Sequence, residues 1–288
     1  MRLAYLSHYF PPESNAPAAR VHELSRALVR EGHEVHVVTG QPNHPRGVVH
    51  PGYRAGEYRR EQVDGITVHR VPTFPAANRG VLLRGLGYAA MPTAQLALGL
   101  LKLPPLDLVL ATSPQIFTAV AGLALARLRR VPFVLEVRDL WPESIVSVGA
   151  LPATHPLIHA LARLERTLYR NAAAIVSVTD SFVAHFLDHG VARERIAVIK
   201  NGADLDLFDP ATPPAPLRQR LAIPEPPKLF PRRLGDAAVD VVVAGHDEQA
   251  IVRHPGMCKQ IFDEGGERGV LARLARLHEV AGEADEVD

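Results

Sequence analysis

Over residues 1–207, short apolar runs alternate with segments whose apolar positions recur every three or four residues. Buried strands of a parallel sheet give the first pattern, and the helices covering its two faces give the second. Residues 2–7 read as a strand that leads through a proline-rich turn into a helix over about 18–30, with Val21, Leu24 and Leu28 on one face and Gly32 past its end. Val35, Val37 and Val38 mark a second strand, followed at 40–56 by a long loop rich in Gly, Pro and His, a kind of segment that is commonly functional. Asp64-Gly65 separates runs at 58–63 and 66–71. Both residue types tolerate positive φ, so the pair predicts a tight antiparallel hairpin, read as an insertion.

The alternation resumes with strands at 108–111 and 133–137 around a helix at 116–129. Leu157, Leu161, Leu164 and Leu168 define a further helical face, 174–178 a strand, and Asp180 a cap for a helix carrying Val183, Phe186 and Leu187 that stops at Gly190. Residues 196–200 supply the last strand. About six parallel strands plus the hairpin make an α/β, doubly wound parallel sheet, one domain spanning 1–208. Prolines at 210, 213, 214, 216, 224, 226, 227 and 231 then break any long element, so 209–231 reads as a linker with at most a turn or two of helix at 217–221. The tail, 232–288, offers one strand at 239–244 and one helix at 270–280, too little for a second sheet of similar size.

Composition narrows the classes. Of 288 residues, 47% are hydrophobic, ample for a core, and 32 basic against 31 acidic residues leave no global field to draw nucleic acid. Cys258 is the sole cysteine and has no internal disulfide partner, and the first apolar run is too short for a secretory leader, so the cytoplasm is the expected setting. Residues 85–101 carry no charge, yet the stretch is shorter than the roughly 20 residues a bilayer needs and contains Pro92, Thr93 and Gln95. A buried helix is the plain reading. The other is an interfacial helix over 82–103, with Arg79 and Arg84 resting on the inner face of a membrane as a peripheral contact.

Ligands of open parallel sheets bind outside the carboxyl ends of the strands. The loops there are His8-Tyr9-Phe10-Pro11-Pro12-Glu13-Ser14-Asn15-Ala16-Pro17-Ala18-Ala19-Arg20, which delivers small residues to a helix N-terminus able to attract phosphate, then Thr112-Ser113-Pro114, Arg138-Asp139-Leu140-Trp141-Pro142-Glu143-Ser144 and Asn201-Gly202-Ala203-Asp204. Each has a purely structural reading beside the functional one. Arg138 and Asp139 pair with each other or with a neighbouring loop, Trp141-Pro142 packs as a wedge, and Asn201-Gly202 forms a turn or a hinge. His33 and His36 read as strand-edge residues rather than metal ligands, and His246, His254 and Cys258 lack a fourth ligand, so no metal or other cofactor is expected.

These motifs, in this order and spacing, resemble glycosyltransferase family 4 over roughly residues 1–210. The residues that carry the likeness are Tyr9-Phe10-Pro11-Pro12-Glu13, Gly32-His33-Glu34-Val35, the Arg138 to Ser144 run, and Asn201-Gly202-Ala203-Asp204 with Phe208 and Pro210. The Arg138 to Ser144 run is similar to that of the fucosamine-transferase-like branch, which modifies lipid-linked surface polysaccharides. The resemblance implies the Rossmann-like N-terminal half of a GT-B fold, in which this half binds the acceptor while a facing C-terminal half holds a nucleotide-sugar donor. It also implies transfer with retained anomeric configuration, without a required metal, onto a lipid-linked glycan acceptor. On the matching positions it makes Asp139 catalytic. Glu13, Ser113, Arg138 and Glu143 become acceptor-binding, and Asn15, Ala16, Arg20, Asn201 and Gly202 donor-binding. The sequence departs from the family at two places: Asn15-Ala16 stands where Gly-Gly is commoner, and Arg138-Asp139 where a histidine often lies.

The family's second half contains two glutamates eight positions apart, and none so spaced occurs after Glu225. The expectation is a chain that is truncated or frame-shifted in mid-linker and inactive alone, with the donor domain supplied by a separate chain. The alternatives are a non-catalytic acceptor-binding protein or gene remnant and, more distantly, a nucleotide-sugar epimerase of the same architecture. Limited proteolysis should leave a resistant fragment of about residues 1–210, because proline density rises where the sheet pattern ends; strong protection of 270–280 would contradict that boundary.

Overall fold

A computed structural model describes residues 1–73, 80–113, 115–202, 240–241 and 252–253, with backbone alone at 80–89 and in the last two pairs. The linker, the helical segments expected at 217–221 and 270–280, and the side chains of Arg79, Arg84, His246, His254 and Cys258 lie outside the described residues. One compact unit is built on Met1–Lys200 and a second on Asn201–Glu279.

The first unit runs β1 (Arg2–Leu6), α1 (Ala16–Arg30), β2 (Glu34–Gly40), β3 (Arg59–Val63), β4 (Ile66–Val71), α2 (Gly80–Lys102), β5 (Leu108–Thr112) and α3 (Ile116–Arg129). It continues with β6 (Phe133–Val137), α4 (Glu143–Ser147), α5 (Pro156–Asn171), β7 (Ala174–Ser177), α6 (Phe182–Asp188) and β8 (Ile196–Val198). The strands form one sheet in the order β3-β4-β2-β1-β5-β6-β7-β8. In the second unit, β9 (Asp240–Val241) and β10 (Val252–Arg253) pair antiparallel.

Seven strands are parallel, one more than the sequence suggests, because the hairpin is not an insertion. Asp64 and Gly65 do make the tight turn, at φ 50° and 81°, but β4 then joins β2 in parallel register, Val37 opposite Val68, leaving β3 as the antiparallel edge. The apolar run Ile66–Val71 is buried at every position, as a strand covered on both faces must be. From β1 the chain winds to β2 on one side and returns to β5 on the other. The crevice at the carboxyl ends of β1 and β5 is therefore the topological switch point.

Helices cover the sheet. Leu125, Ala126 and Ala119 of α3 pack on β5 and β6 side chains, and Gly122 lets the helix approach so closely that a Cβ there would stand 2.5 Å from the Ala111 Cβ. Helix α2 places Met91 in the same core and Gln95 against the sheet, where its Nε2 donates to the carbonyls of Ser7 and Val38 at 2.9 and 3.0 Å. That accounts for a polar residue in an uncharged run: Gln95 is fully buried and ties α2 to β1 and β2. Among the described residues, no helix is long and apolar enough to cross a membrane.

Three sequence readings change. Helix α1 begins at Ala16 rather than Ala18, since Asn15 caps it by accepting from the Ala18 N–H at 2.8 Å. Asp180 does not cap α6 with its side chain, which instead ion-pairs with Lys200 at 2.5 Å. His36 is no edge residue. It lies buried in β2, with Nδ1 3.2 Å from His69 Nε2 and Nε2 2.9 Å from Glu34 Oε1, while the Tyr58 hydroxyl sits 2.8 Å from His69 Nδ1.

Burial, with smaller contributions from His36 and Arg60, lowers the His69 pKa to about 4. The folded state therefore holds His69 neutral while the unfolded chain protonates it near 6.5, so its contribution is complete above that pH and is lost as the pH falls towards 4. Denaturant midpoints should show stability dropping between pH 7 and pH 5, and His69→Gln should shrink that drop by on the order of 2 kcal/mol. A drop of equal size in the variant would mean that His69 is not held neutral.

Candidate functional site

The functional loops are organised around a charge that the sequence reading passed over, Glu136. It occupies the fourth position of the apolar strand Phe133–Val137 and is 1% exposed. Its Oε1 accepts from Arg20 Nε at 2.8 Å, and its Oε2 accepts from the Tyr5 hydroxyl at 2.6 Å and from Arg138 Nε at 3.1 Å. Burial, then the Glu136 charge, pushes the Tyr5 pKa well up, which keeps the phenol a proton donor. The one available signal was an acidic residue within an otherwise apolar buried strand, which needs cationic partners.

Those partners reach on to the surrounding backbone. Arg20, from α1, donates to the Ile199 carbonyl at 2.7 Å and the Lys200 carbonyl at 3.1 Å, just past β8. Arg138 donates to the Pro17 carbonyl at 3.1 Å, and its own N–H lies 3.3 Å from Ser113 Oγ. The network thus joins the ends of β1, β5, β6 and β8 to the start of α1. Arg138 pairs with Glu136 rather than with Asp139.

Glu13 is also enclosed. Its Oε1 accepts from the N–H groups of Asn43 and His44, each at 3.0 Å, and its Oε2 from the Phe10 N–H at 3.3 Å. It locks the first loop to the long segment after β2, a positioning task that leaves an acceptor sugar no free carboxylate oxygen. The same loop is held by fully buried Arg70, whose guanidinium binds the Pro11 carbonyl and the Glu61 carboxylate.

Donor-side expectations divide. Asn15 gives its carbonyl oxygen to the α1 cap, but its Nδ2 is buried without a hydrogen-bond partner among the described residues. Pro17 has no N–H and the Ala18 N–H is capped, so Ala16 and the Asn15 amide are what the first turn has left to offer a phosphate. The Arg20 guanidinium is turned inward to Glu136. Asn201 and Gly202 are exposed and belong to the second unit.

Beside this network lies a small open cleft lined by Ser113, Ile116, Leu135, Val137, Asp139, Trp141, Glu165, Leu168 and Tyr169. Asp139 is half-buried there, and among the described residues its carboxylate has no ion-pair or hydrogen-bond partner. Trp141 packs against the core and also lines the cleft, so wedge and wall are one role. Glu143 does not line the cleft. It opens α4, a helical turn not foreseen in the sequence, and is exposed. Deeper in, Tyr169 donates to Glu165 Oε1 at 2.6 Å, and burial followed by the Glu165 charge raises its pKa. Glu165 and Tyr169 escaped the sequence reading because helix periodicity marks them only as neighbours of Leu164 and Leu168.

Comparison with known proteins follows the same residues. The family described as Glycosyl transferase 4-like domain matches residues 15–202. Escherichia coli (strain K12) WcaI, described as a colanic acid biosynthesis glycosyl transferase, is 24% identical over 285 residues, covering 96% of this chain and 69% of WcaI. That alignment necessarily runs past residue 202, into the segment where the sequence alone showed no likeness. Among solved structures, sucrose-phosphate synthase from Thermosynechococcus elongatus superposes with a TM-score of 0.56 at 17% identity, over 77% of this chain and 53% of that one. This likeness gives the fold, the Rossmann-like half of a GT-B architecture, and the chain spans about half the length of the solved structure it resembles.

Removing the Glu136 charge would leave two guanidiniums in a low-dielectric site without their counter-charge. Glu136→Leu should cost about 3–5 kcal/mol in chemical denaturation, whereas Asp139→Ala, which breaks no pairing, should change stability by less than about 1 kcal/mol. Equal costs would deny Glu136 its organising role.

Proposed function

The chain belongs to the glycosyl transferase 4-like family, and from that footing we propose that residues 1–202 are the acceptor-side half of a retaining sugar transferase. Its donor is a nucleotide-sugar and its acceptor a lipid-linked glycan of surface polysaccharide synthesis. The observation that carries this reading is the unpaired carboxylate of Asp139 in a cleft beside the switch point of the sheet. A carboxylate in a cleft with no protein partner suits a task of accepting a hydrogen bond from an incoming hydroxyl. The acceptor oxygen, so held, attacks the anomeric carbon as the bond to the nucleoside diphosphate breaks. Ser113 and Trp141 line the same cleft and would flank the acceptor sugar.

On the donor side, the Ala16 N–H and the Asn15 amide supply two hydrogen-bond donors for the leaving diphosphate. Arg20 and Arg138 act through position, since both guanidiniums are engaged by Glu136. The strong direct cations belong to a facing donor half outside residues 1–202, within the rest of the polypeptide or on a separate chain. Residues 1–202 alone therefore bind acceptor without transferring sugar. The work is placed at the cytoplasmic face of a membrane, where the lipid of the acceptor lies, and Leu100 and Leu101, exposed at the end of α2 next to Lys102, give that face an apolar contact.

Trp141 is the sole tryptophan of the chain, so its emission reports on the cleft alone. Titration with short-chain polyprenyl-diphosphate-linked sugars should give a saturable change in emission, and Asp139→Ala should weaken it about tenfold. With labelled nucleotide-sugars, a fragment of residues 1–202 should turn over only when a family-type donor domain is added in trans, and Asp139→Ala should then lower the rate by about 10²–10⁴-fold. Turnover by residues 1–202 alone would overturn the division of labour. No saturable response to any acceptor would overturn the acceptor-side assignment, and an unchanged rate in the variant would remove Asp139 from the chemistry.

A further inference from the structure

Next to the loop that carries Trp141, four ligand-type side chains converge from three elements. Glu143 opens α4, Glu165 belongs to α5, and His185 and His189 stand one helical turn apart at the end of α6. One ligand atom of each lies within 4.8 Å of those of the other three.

Bonds within the protein do not satisfy this group. Glu165 is 4% exposed, and while its Oε1 accepts from the Tyr169 hydroxyl, its Oε2 is buried with no partner among the described residues. His185 Nε2 is likewise buried without a hydrogen bond and stops 3.5 Å from Glu165 Oε1. That gap is long for a hydrogen bond. It is close to the edge of about 3.4 Å between two ligands that each sit about 2.0–2.1 Å from a tetrahedral zinc ion. His189 Nδ1 lies 2.8 Å from the His185 carbonyl, which can only accept, so Nδ1 carries the proton and Nε2 keeps its lone pair. A backbone carbonyl holding one imidazole nitrogen is the usual way a metal-binding histidine is fixed in its tautomer.

We propose that Glu165, His185 and His189, with Glu143 as the exposed fourth ligand, bind a divalent transition-metal ion of the zinc class. Two imidazoles and two carboxylates suit such an ion. Closing the group onto it takes side-chain movements of about an ångström. The ion takes over from His185, which stands 3.5 Å from Glu165, as the counter-charge of that buried carboxylate, and it ties the Trp141-Pro142-Glu143 segment to α5 and α6. It would thereby set one wall of the cleft. Glu165 also lines the cleft, yet the ion takes no part in the transfer step and no sugar enters the test.

The full-length protein, stripped with chelator, is titrated with Zn²⁺ by calorimetry and with Co²⁺ by visible absorption. One equivalent of Zn²⁺ should bind with a Kd at or below about 10 μM, and Co²⁺ should give the absorption of a four-coordinate site. His189→Ala and Glu143→Gln alter partly or fully exposed positions and should leave the circular dichroism spectrum unchanged. Both should weaken Zn²⁺ binding about tenfold or more. The chain has 14 histidines and one cysteine, so binding elsewhere is separated by these variants. Absence of binding at about 100 μM Zn²⁺, or an affinity that both substitutions leave untouched, overturns the proposal.

Discussion

A buried carboxylate between two guanidiniums is the constraint from which the geometry of this domain follows. Glu136 could not remain ionised inside the sheet by itself, because the desolvation of an isolated carboxylate far exceeds the stability of a domain. Arg20 and Arg138 make its burial tolerable, and each then has further donors that must also be satisfied. Three of these donors go to backbone carbonyls, those of Pro17, Ile199 and Lys200. Side-chain neutralisation and loop placement are thus one event: the charges are stable only when the start of α1 and the end of β8 are where those carbonyls are needed.

A second buried arginine acts similarly from the opposite side. Arg70 projects from β4 to the Pro11 carbonyl, and Glu13 binds the amides of Asn43 and His44. The first loop is therefore gripped at Pro11 and Glu13 by the β2–β4 side and at Pro17 by the β6 side. Loops normally carry the mobility of a site. Here the loop that faces the switch point is clamped from both directions, which preorganises Ala16 and Asn15.

The framework was legible in the sequence because each strand is a short continuous apolar run and each helix has its own period, and these two signals survive without tertiary information. The boundaries of α3 and β6 follow directly from them. What depends on partners was not legible. Asp64-Gly65 announces the hairpin but says nothing of β4 pairing with β2, since the register between strands distant in sequence leaves no local trace. His36 and His69 appear as scattered polar residues until β2 and β4 bring them 3.2 Å apart. The candidate site shows the same division. Its loops were found through strand ends, and Asp139 does line a cleft, but Glu13 and Arg20 carry the charges expected of ligand-binding residues and use them inside the protein. Their role could be told from their residue type only after Glu136 and the Asn43 and His44 amides were placed opposite them.

That inward use of charge bears on how a sugar donor could be handled. Arg20, Arg138 and Glu136 together leave one net positive charge beneath the start of α1. Its field reaches the cleft even though the guanidiniums themselves do not, and at an effective dielectric of about 20 a unit charge at 8 Å still contributes about 2 kcal/mol to a phosphate anion. Such a field attracts a diphosphate at a distance, because the Nε donors of both guanidiniums are committed to Glu136. A leaving diphosphate develops its charge at particular oxygens and needs donors aimed at those oxygens. Among the described residues, the Ala16 N–H and the Asn15 amide fit that description. On the proposed reading, attraction and acceptor placement would reside in residues 1–202, while the directed neutralisation that drives bond cleavage would come from a surface that faces them.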